Sequence, residues 1–144
     1  MSDTHLAIHL DRLVRRIHAS LSARAKTFDT DRVGPGGAIL LLTLDEMGTA
    51  PLHRLAARLV RDKSQLTREV ASLERKGMVR RQDCATDARV SLLSLTAKGA
   101  ALVKTHQHAL AEVLEETLQG MAEADKQKLA ALLQSATQDH RAEL

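Results

Sequence analysis

Residues 62–99 of the chain read DKSQLTREVASLERKGMVRRQDCATDARVSLLSLTAKG, and this stretch decides the fold. Asp62 is followed three residues later by Gln65, which is the spacing of a helix-capping box. In that arrangement the carboxylate accepts from a backbone N–H of the first turn, and the glutamine side chain reaches back. A cation followed by Gly77 is typical of a helix C-terminus. The stretch therefore predicts a helix between these two positions.

The predicted helix has one apolar and one polar face. At about 100° per residue, Leu66, Val70 and Leu73 fall on the same side. The opposite side has no acidic residue and carries Ser64, Arg68, Ala71 and Arg75. The apolar side is predicted to enter the core, and the polar side is predicted to be a basic surface.

A shorter helix is predicted immediately upstream. The segment PLHRLAARL, residues 51–59, places four apolar side chains on one stripe. Pro51 is expected in the first turn, where a missing N–H costs little. Only Val60 and Arg61 link this helix to Asp62, and so short a link sets two helices at a steep angle, as in a helix-turn-helix. The first helix is thus predicted to support the second.

Two strand-like segments, residues 78–82 and 90–95, follow the polar helix. The segment between them is polar and rich in turn-forming residues, which predicts a hairpin. A helix-turn-helix followed by a hairpin is a winged helix-turn-helix, which places one helix in the DNA major groove and the hairpin tip beside it. Arg89 at that tip is expected to enter the minor groove, with Asp87 holding its guanidinium by a charge-assisted hydrogen bond.

Long amphipathic segments flank this module. The N-terminal segment carries a helical stripe of apolar residues that ends at Phe28, and Pro35 introduces a helix whose residues 39–44 are apolar nearly all round and should be buried. After the hairpin, Thr96 is expected to cap a long helix that Gly120 ends, and a last helix follows. Two terminal amphipathic helices expose more apolar surface than a small monomer covers, which favours a dimer.

The module resembles the DNA-binding core of the MarR family of bacterial transcription regulators. The family pattern is matched by Asp62-Lys63-Ser64, Thr67-Arg68, Leu73 to Gly77, Arg80-Arg81, Asp87 to Arg89, and Leu95-Thr96 to Gly99. Two positions depart from it, because the family usually has a glycine where Val60 stands and an apolar residue where Arg61 stands. Arg61 is therefore a candidate for an extra phosphate contact.

The resemblance implies a fold class and an organisation. The fold would be mainly α with a small antiparallel β-hairpin, that is, an α+β winged helix-turn-helix with six helices. One domain would span residues 1–144, in which residues 1–33 and 96–144 form dimerisation helices and residues 34–95 form the DNA-binding lobe. Such a homodimer would bind a pseudo-palindromic site in double-stranded DNA and repress transcription until a small-molecule effector releases it. An activator or a ligand-insensitive silencer is a further option within the family.

An effector pocket is also implied by the resemblance. In this family, small aromatic or phenolic acids often bind between the dimerisation helices and the DNA-binding lobe. A pocket lined by aliphatic residues is expected here, with His18, Arg15 or Arg16 near its mouth. Ordinary helix packing explains these residues equally well, so no effector-binding residue is assigned.

The residues predicted to bind DNA lie on the polar helix and the hairpin tip. Those expected to contact base edges in the major groove are Ser64, Gln65, Thr67 and Arg68. Those expected near phosphates are Arg61, Lys63 and Arg75. Arg89 in the minor groove, positioned by Asp87, completes the set.

Composition and charge favour groove binding of duplex DNA. From Leu52 to Ser91 there are ten Lys and Arg residues against five Asp and Glu, whereas the whole chain has a net charge of only +3. Basic charge concentrated in one module is expected of a phosphate-binding surface, although a solvated basic face would show the same excess. Phe28 is the only Phe, Tyr or Trp residue, so recognition by stacking bases on aromatic side chains is poorly supported.

Other classes of protein find little support in the sequence. No phosphate-binding glycine loop, nucleophile elbow or catalytic triad is evident, so no enzyme, catalytic residue or cofactor is predicted. No segment is apolar enough to span a membrane and no signal peptide is evident, which predicts a cytoplasmic protein with no membrane partner.

Two alternatives stay open. His5 and His9 have the i, i+4 spacing of metal ligands, which would suit a metal-responsive regulator of the same fold, but no third ligand is evident and no metal site is predicted. A winged-helix protein-interaction module without DNA binding is the other alternative. Cys84, the only cysteine, lies in the hairpin, where Asp83 and Asp87 are expected to disfavour the reactive thiolate.

Overall fold

The computed structural model describes residues 3–138, so the ends of the predicted domain at residues 1–2 and 139–144 lie outside the described residues. Within that range the helices are α1 Asp3–Phe28, α2 Gly34–Met47, α3 Leu52–Leu59, α4 Lys63–Arg75, α5 Ala97–Thr117 and α6 Glu123–Thr137. The strands are β1 Ala50–Pro51, β2 Val79–Asp83 and β3 Ser91–Leu95. The predicted winged helix-turn-helix, mainly α with six helices, is confirmed.

One hydrophobic core lies between α2, α3, α4 and the sheet. The predicted inner face of α4 is confirmed, since Leu66, Val70 and Leu73 are at most 2% exposed. The neighbouring elements supply Leu40, Leu41 and Leu44 from α2, Leu55 from α3, and Met78, Val79 and Leu93 from the hairpin. Burying a leucine side chain contributes about 1.5–3 kcal/mol, so this cluster is what holds α4 in place.

Helix α2 is less deeply buried than its apolar sequence predicts. Leu40, Leu41 and Leu44 are at most 1% exposed, but Ile39 is 44% exposed. The predicted burial is thus confirmed for Leu40, Leu41 and Leu44 and wrong for Ile39, because α3, the sheet and α5 cover the other parts of α2. The side of its first turns that carries Ile39 is left facing a cavity.

The sheet has the strand order β1-β3-β2, and both pairings are antiparallel. Strands β2 and β3 form the predicted hairpin, each starting one residue later than predicted. Strand β1 was not predicted, and in it Ala50 pairs with Leu93 and Pro51 with Leu92. Pro51 is consequently not in the first turn of α3 but in the extended residue before it, with φ −73° and ψ 155°. An edge strand tolerates the missing N–H.

The hairpin and α5 meet in a close contact of two backbone segments. Thr96 caps α5 as predicted, because its hydroxyl accepts from the Gly99 N–H at 3.0 Å and donates to the Gly77 carbonyl at 2.5 Å. A Cβ atom at Gly99 would lie 2.1 Å from the carbonyl oxygen of Met78. Only glycine fits there, which explains why the matched segment from Leu95-Thr96 ends in Gly99.

The terminal helices form a second region of the molecule. Helix α1 packs along α5, and Arg24 of α1 forms ion pairs with Glu112 and Glu116 of α5. Neither α1 nor α6 contains a buried residue within one protomer. The large apolar side chains that these two helices leave at least 41% exposed are Leu6, Ile8, Leu10, Val14, Leu132 and Leu133.

Candidate functional site

Helix α4 begins and ends where the sequence indicates. Asp62 is its N-cap and accepts from the Ser64 N–H at 3.3 Å, and Gly77 beyond its last turn has φ +76°. The second half of the predicted capping box is wrong, because the Gln65 side chain does not reach back to the N-cap. Its Nε2 donates instead to Oε1 of Glu69 at 3.4 Å, one helical turn further on.

The outward face of α4 presents a continuous polar surface. The predicted groove and phosphate contacts on this helix are all exposed, namely Lys63, Ser64, Gln65, Thr67, Arg68 and Arg75. Arg68 and Arg75 make no ion pair with any residue between positions 3 and 138. The surface therefore offers two uncommitted guanidinium groups, which are donors suited to base edges and phosphates.

The turn between α3 and α4 is closed by an unusual valine conformation. Val60 adopts φ 52° and ψ 48°, in the left-handed region, and its side chain is 76% exposed. Such a conformation is strained for a β-branched residue. It brings the Arg61 N–H within 3.3 Å of the Ala56 carbonyl oxygen, which ends α3. Valine therefore stands at a position whose backbone conformation favours glycine, the residue usual in the family.

Arg61 points into the protein from this turn. Its Nη1 donates to Oε2 of Glu69 at 2.6 Å, and its Nη1 and Nη2 donate to the Gly36 carbonyl at 3.5 and 3.4 Å. The Arg61 side chain is only 18% exposed. Because these contacts already commit the charge, we do not include Arg61 among the phosphate contacts proposed below, and its role as one stays a prediction.

Asp87 shapes the hairpin tip through the backbone. Its Oδ1 accepts from the Arg89 N–H at 3.0 Å, and its carbonyl accepts from the Val90 N–H at 3.1 Å. The expected bond between the Asp87 carboxylate and the Arg89 guanidinium is wrong, because the carboxylate is committed to this tight turn. Asp87 therefore fixes the backbone of the tip, and the Arg89 side chain extends from it exposed.

Strand β2 adds cations that match the family pattern but were not predicted to bind DNA. Arg81 pairs with Glu74 of α4 at 3.3 Å, which ties the hairpin to that helix. Arg80 is exposed on the same strand, and Arg54 is exposed on α3. The basic strand of the family pattern was the available signal for Arg80, and the polar stripe of α3 was the available signal for Arg54.

The Cys84 thiol lies 3.2 Å from the Thr86 hydroxyl. Its pKa is lowered, first by that side-chain hydrogen bond and then by the N–H groups of Thr86 and Asp87, while burial and the charge of Asp87 oppose the shift. Asp87 disfavours the thiolate as expected, but the hydrogen bonds to sulfur outweigh its charge, so the net shift of the pKa is downward. Cys84 is the only cysteine, so no disulfide forms within one protomer.

A cavity of about 630 Å³ lies between α1, the start of α2, and α5. Its apolar wall includes Leu21, Ala25, Phe28, Ala38, Ile39 and Leu102. Its polar lining consists of His18, Ser22, Lys26, Asp29, Arg32 and His106. Of the residues expected near such a pocket, His18 lines it, whereas Arg15 and Arg16 do not. Lys26 lies eight residues after His18 on the same face of α1, so helical periodicity could have identified it. Arg32 lies in a loop, where no such periodicity applies.

The charge of this cavity is positive. Both carboxylate oxygens of Asp29 are occupied, since they accept from the N–H groups of Val33 and Gly34 at 2.8 Å each. His106 stands edge-on to Phe28, and its pKa is lowered mainly by burial, with the charge of Asp29 opposing. A lowered pKa keeps this imidazole neutral at pH 7. Lys26 and Arg32 are then the cations that face the cavity.

Residues 3–138 contain neither a cluster of metal ligands nor a helix that could cross a membrane. Between residues 3 and 138, no three or more His, Cys, Asp or Glu side chains are placed to hold a metal ion, so His5 and His9 have no third ligand in that part of the protomer. Across the same residues, no helix combines the length and apolar character that crossing a membrane requires.

Solved structures with this fold include bacterial regulators. The structure of the multiple antibiotic resistance repressor MarR superposes with a TM-score of 0.76 at 22% identity, covering 92% of this chain and 94% of that one. A cysteine-to-serine variant of Escherichia coli MarR complexed with operator DNA superposes with a TM-score of 0.69 at 21% identity, covering 95% and 99%. At these identities the likeness shows the fold.

Sequence comparison identifies the family. The MarR family model matches residues 39–91, which include α3, α4 and most of the hairpin. An HTH-type transcriptional regulator of Bacillus subtilis strain 168, the uncharacterised YxaD, is 36% identical over 96 residues, which is 67% of each chain. Together with the winged fold, these matches confirm the resemblance seen in the motifs. The chain belongs to the MarR family of winged-helix transcription regulators.

Proposed function

We propose that this protein is a homodimeric repressor that binds a pseudo-palindromic site in double-stranded DNA and is released by a small organic acid. The observation that carries the proposal is the outward face of α4. Arg68 and Arg75 stand there exposed and without an ion pair among the described residues, beside polar side chains that can read base edges. Among the described residues, neither Arg68 nor Arg75 forms an ion pair that would stabilise the protomer.

The hairpin supplies the second contact. Asp87 fixes the backbone of the tip by accepting from the Arg89 N–H, so the exposed Arg89 guanidinium projects from an ordered turn. A narrow minor groove attracts a guanidinium through its negative potential. The operator-bound E. coli MarR variant has the same fold, which supports this mode of docking. We assign base contacts to Ser64, Gln65, Thr67 and Arg68, phosphate contacts to Lys63 and Arg75, and the minor-groove contact to Arg89.

The dimer follows from the surface of α1 and α6. Neither helix buries a residue within the protomer, and side chains such as Leu6 and Leu132 are 60% and 63% exposed. Exposed large apolar side chains in this number on two helices support an interface. A second copy covers it with matching residues, because a two-fold interface is self-complementary. The same symmetry axis then presents two copies of α4 to one face of the duplex.

The cavity between α1, α2 and α5 is the proposed effector site. Its volume of about 630 Å³ suits a small ligand, its walls are mainly apolar, and Lys26 and Arg32 face it. A cavity with these features fits a small acid with an apolar body, such as an aromatic carboxylate. The cavity is bordered by residues 32–35, which lead into α2, the first helix of the proposed DNA-binding lobe.

A selection experiment tests the DNA-binding proposal. Duplexes bound by the wild-type protein are selected from a random pool, and their affinity is then compared among variants. Arg68→Ala should cost about 1–3 kcal/mol and relax base preference at one position in each half-site. The matched control is Arg58→Ala, which removes an exposed arginine of α3 that lies 3.8 Å from Glu46 and is assigned no DNA contact, so it should leave affinity and base preference nearly unchanged.

Other outcomes identify the rival functions. Unchanged preference and affinity in Arg68→Ala would remove this residue from the set that reads DNA. An absence of salt-dependent duplex binding by the wild-type protein would favour the protein-interaction module. Operator affinity that depends on added zinc would favour the metal-responsive regulator.

A further inference from the structure

Residues 31–36 contact helix α4 near both of its ends, and the same segment forms part of the cavity wall. Arg32, Val33, Gly34 and Pro35 line the cavity. The segment joins α1 to α2, so its position depends on how those two helices pack around the cavity. A short set of polar contacts therefore joins the segment that lines the cavity to the residues at the two ends of α4.

The first of these contacts is at the start of α4. Arg61 donates to the Gly36 carbonyl and forms an ion pair with Glu69, and Glu69 in turn accepts from Gln65. Gln65 lies on the exposed face of α4. A cation beside the first turn of α2 is disfavoured by the helix dipole, and the carboxylate of Glu69 offsets that cost. The position of Arg61 therefore depends on both α2 and α4.

The second contact is at the end of α4. The Nζ of Lys76, the C-cap residue, donates to the Arg32 carbonyl at 2.8 Å. Lys98 of α5 donates to Oδ1 of Asp31 at 3.0 Å and to the Lys76 carbonyl at 3.1 Å, which completes the cluster. Arg32 is held there at φ +56°, a conformation that residues other than glycine rarely adopt. Such a conformation persists only where the surrounding contacts maintain it.

We propose that Arg61 and Lys76 are positioning residues that couple the cavity to α4, so that a change in the cavity shifts residues 31–36 and, through them, both ends of the DNA-reading helix. The proposal rests on the proposed function and adds the route of its regulation. At position 61 this sequence has an arginine, whereas the family usually has an apolar residue. The two side chains act through α4 and are not assigned a contact with the effector.

The test fills the cavity without needing the natural effector. Ala25→Leu adds a side chain to the cavity wall from α1, and Ala23→Leu places the same side chain on an exposed position of α1 that does not line the cavity. Affinity for the selected duplex is measured for both. Allosteric couplings are typically about fivefold or larger, so Ala25→Leu should change affinity by about fivefold or more and Ala23→Leu by less than about twofold.

The contacts are then removed in a double-mutant cycle. In a protein that carries Arg61→Met and Lys76→Met, Ala25→Leu should change duplex affinity by less than about twofold. Methionine keeps much of the side-chain length without the charge. If that protein is not folded, Arg61→Lys and Glu69→Gln replace the pair, because each weakens the contact at the start of α4 while retaining polar groups. Folding and oligomeric state are checked by thermal unfolding and sedimentation.

Hydrogen exchange separates this proposal from the proposed function. In the absence of DNA, Ala25→Leu should alter exchange of the backbone N–H groups of α4 in the wild-type background and not in the background without the two contacts. Equal effects of Ala25→Leu in both backgrounds, or no effect on exchange in either, would overturn the coupling. Failure of the wild-type protein to bind duplex DNA would refute the proposed function, while the exchange measurement still decides whether the contacts couple the cavity to α4.

Discussion

At the scale of single residues, Val60 shows how this chain balances a local cost against the geometry of its turn. The left-handed conformation is needed to end α3 and start α4 within two residues. It costs a residue with a Cβ about 1–2 kcal/mol. The side chain recovers little of this by packing, since it is 76% exposed. The strain at Val60 therefore lowers the free energy of unfolding, and packing of its side chain does not offset this.

Val60→Gly should raise the free energy of unfolding by about 1 kcal/mol. Removal of the left-handed strain exceeds the additional entropy of glycine in the unfolded chain, about 0.5–1 kcal/mol. Urea denaturation measures the change, and Ala57→Gly on the exposed side of α3 is the control, expected to destabilise by about 0.5–1 kcal/mol. A Val60→Gly protein that is less stable than wild type would show that the turn is not strained at this position.

At this scale the sequence could predict that the proposed DNA-contacting side chains of α4 are exposed. The exposed positions of α4 follow from helical periodicity. The two turn residues Val60 and Arg61 differ from the residues usual in the family. Their partners could not be predicted. Gly36 lies 25 positions before Arg61, and nothing in local spacing pairs them. The bond from Asp87 to the Arg89 backbone rather than to its side chain is also a matter of local geometry that the residue types leave open.

At the scale of elements, the junction of the hairpin with α5 fixes how the DNA-binding region is attached to the long helices. The Thr96 hydroxyl bonds both to Gly77 and to Gly99, and the Thr96 N–H donates to the Met78 carbonyl at 3.0 Å. The end of α4, the start of β2 and the start of α5 therefore meet at one point. Any side chain at Gly99 disturbs all three.

Gly99→Ala should lower the free energy of unfolding by about 1–3 kcal/mol or more, as expected for overpacking a buried site. The added Cβ would fall 2.1 Å from the Met78 carbonyl oxygen, so backbone must move. Chemical denaturation measures the loss, and Ala101→Gly, on an exposed position of α5, controls for a change of helix propensity, which costs about 1 kcal/mol. A Gly99→Ala protein as stable as wild type would contradict the tight packing of this junction.

Elements with strong periodicity or caps were predictable, and elements that depend on distant partners were not. Helix α4, the hairpin and the cap at Thr96 follow from residue spacing within about a dozen positions. Strand β1 is two residues long and exists only because Ala50 and Pro51 pair with β3, some forty positions away. The exposure of Ile39 and the cavity beside it likewise result from how three helices meet.

At the scale of the whole molecule, the protomer consists of a packed DNA-binding region and a set of long helices with uncovered apolar surface. The exposed apolar side chains of α1 and α6 support the proposed dimer. The basic charge of the outward face of α4 supports the proposed DNA binding. Each property is visible in one protomer, and the proposed repressor requires both together.

The measurement that tests this account most directly combines stoichiometry with operator geometry. Sedimentation gives the mass of the protein alone and bound to its selected duplex, and affinity is then measured after insertion of about half a helical turn, roughly 5 bp, between the half-sites. A homodimeric repressor should be a dimer in both states, with half-site centres about 10 bp apart. The insertion should abolish tight binding, because the two α4 helices must meet one face of the duplex. A monomer at micromolar concentration, or binding that is indifferent to the insertion, would contradict the proposed homodimeric repressor.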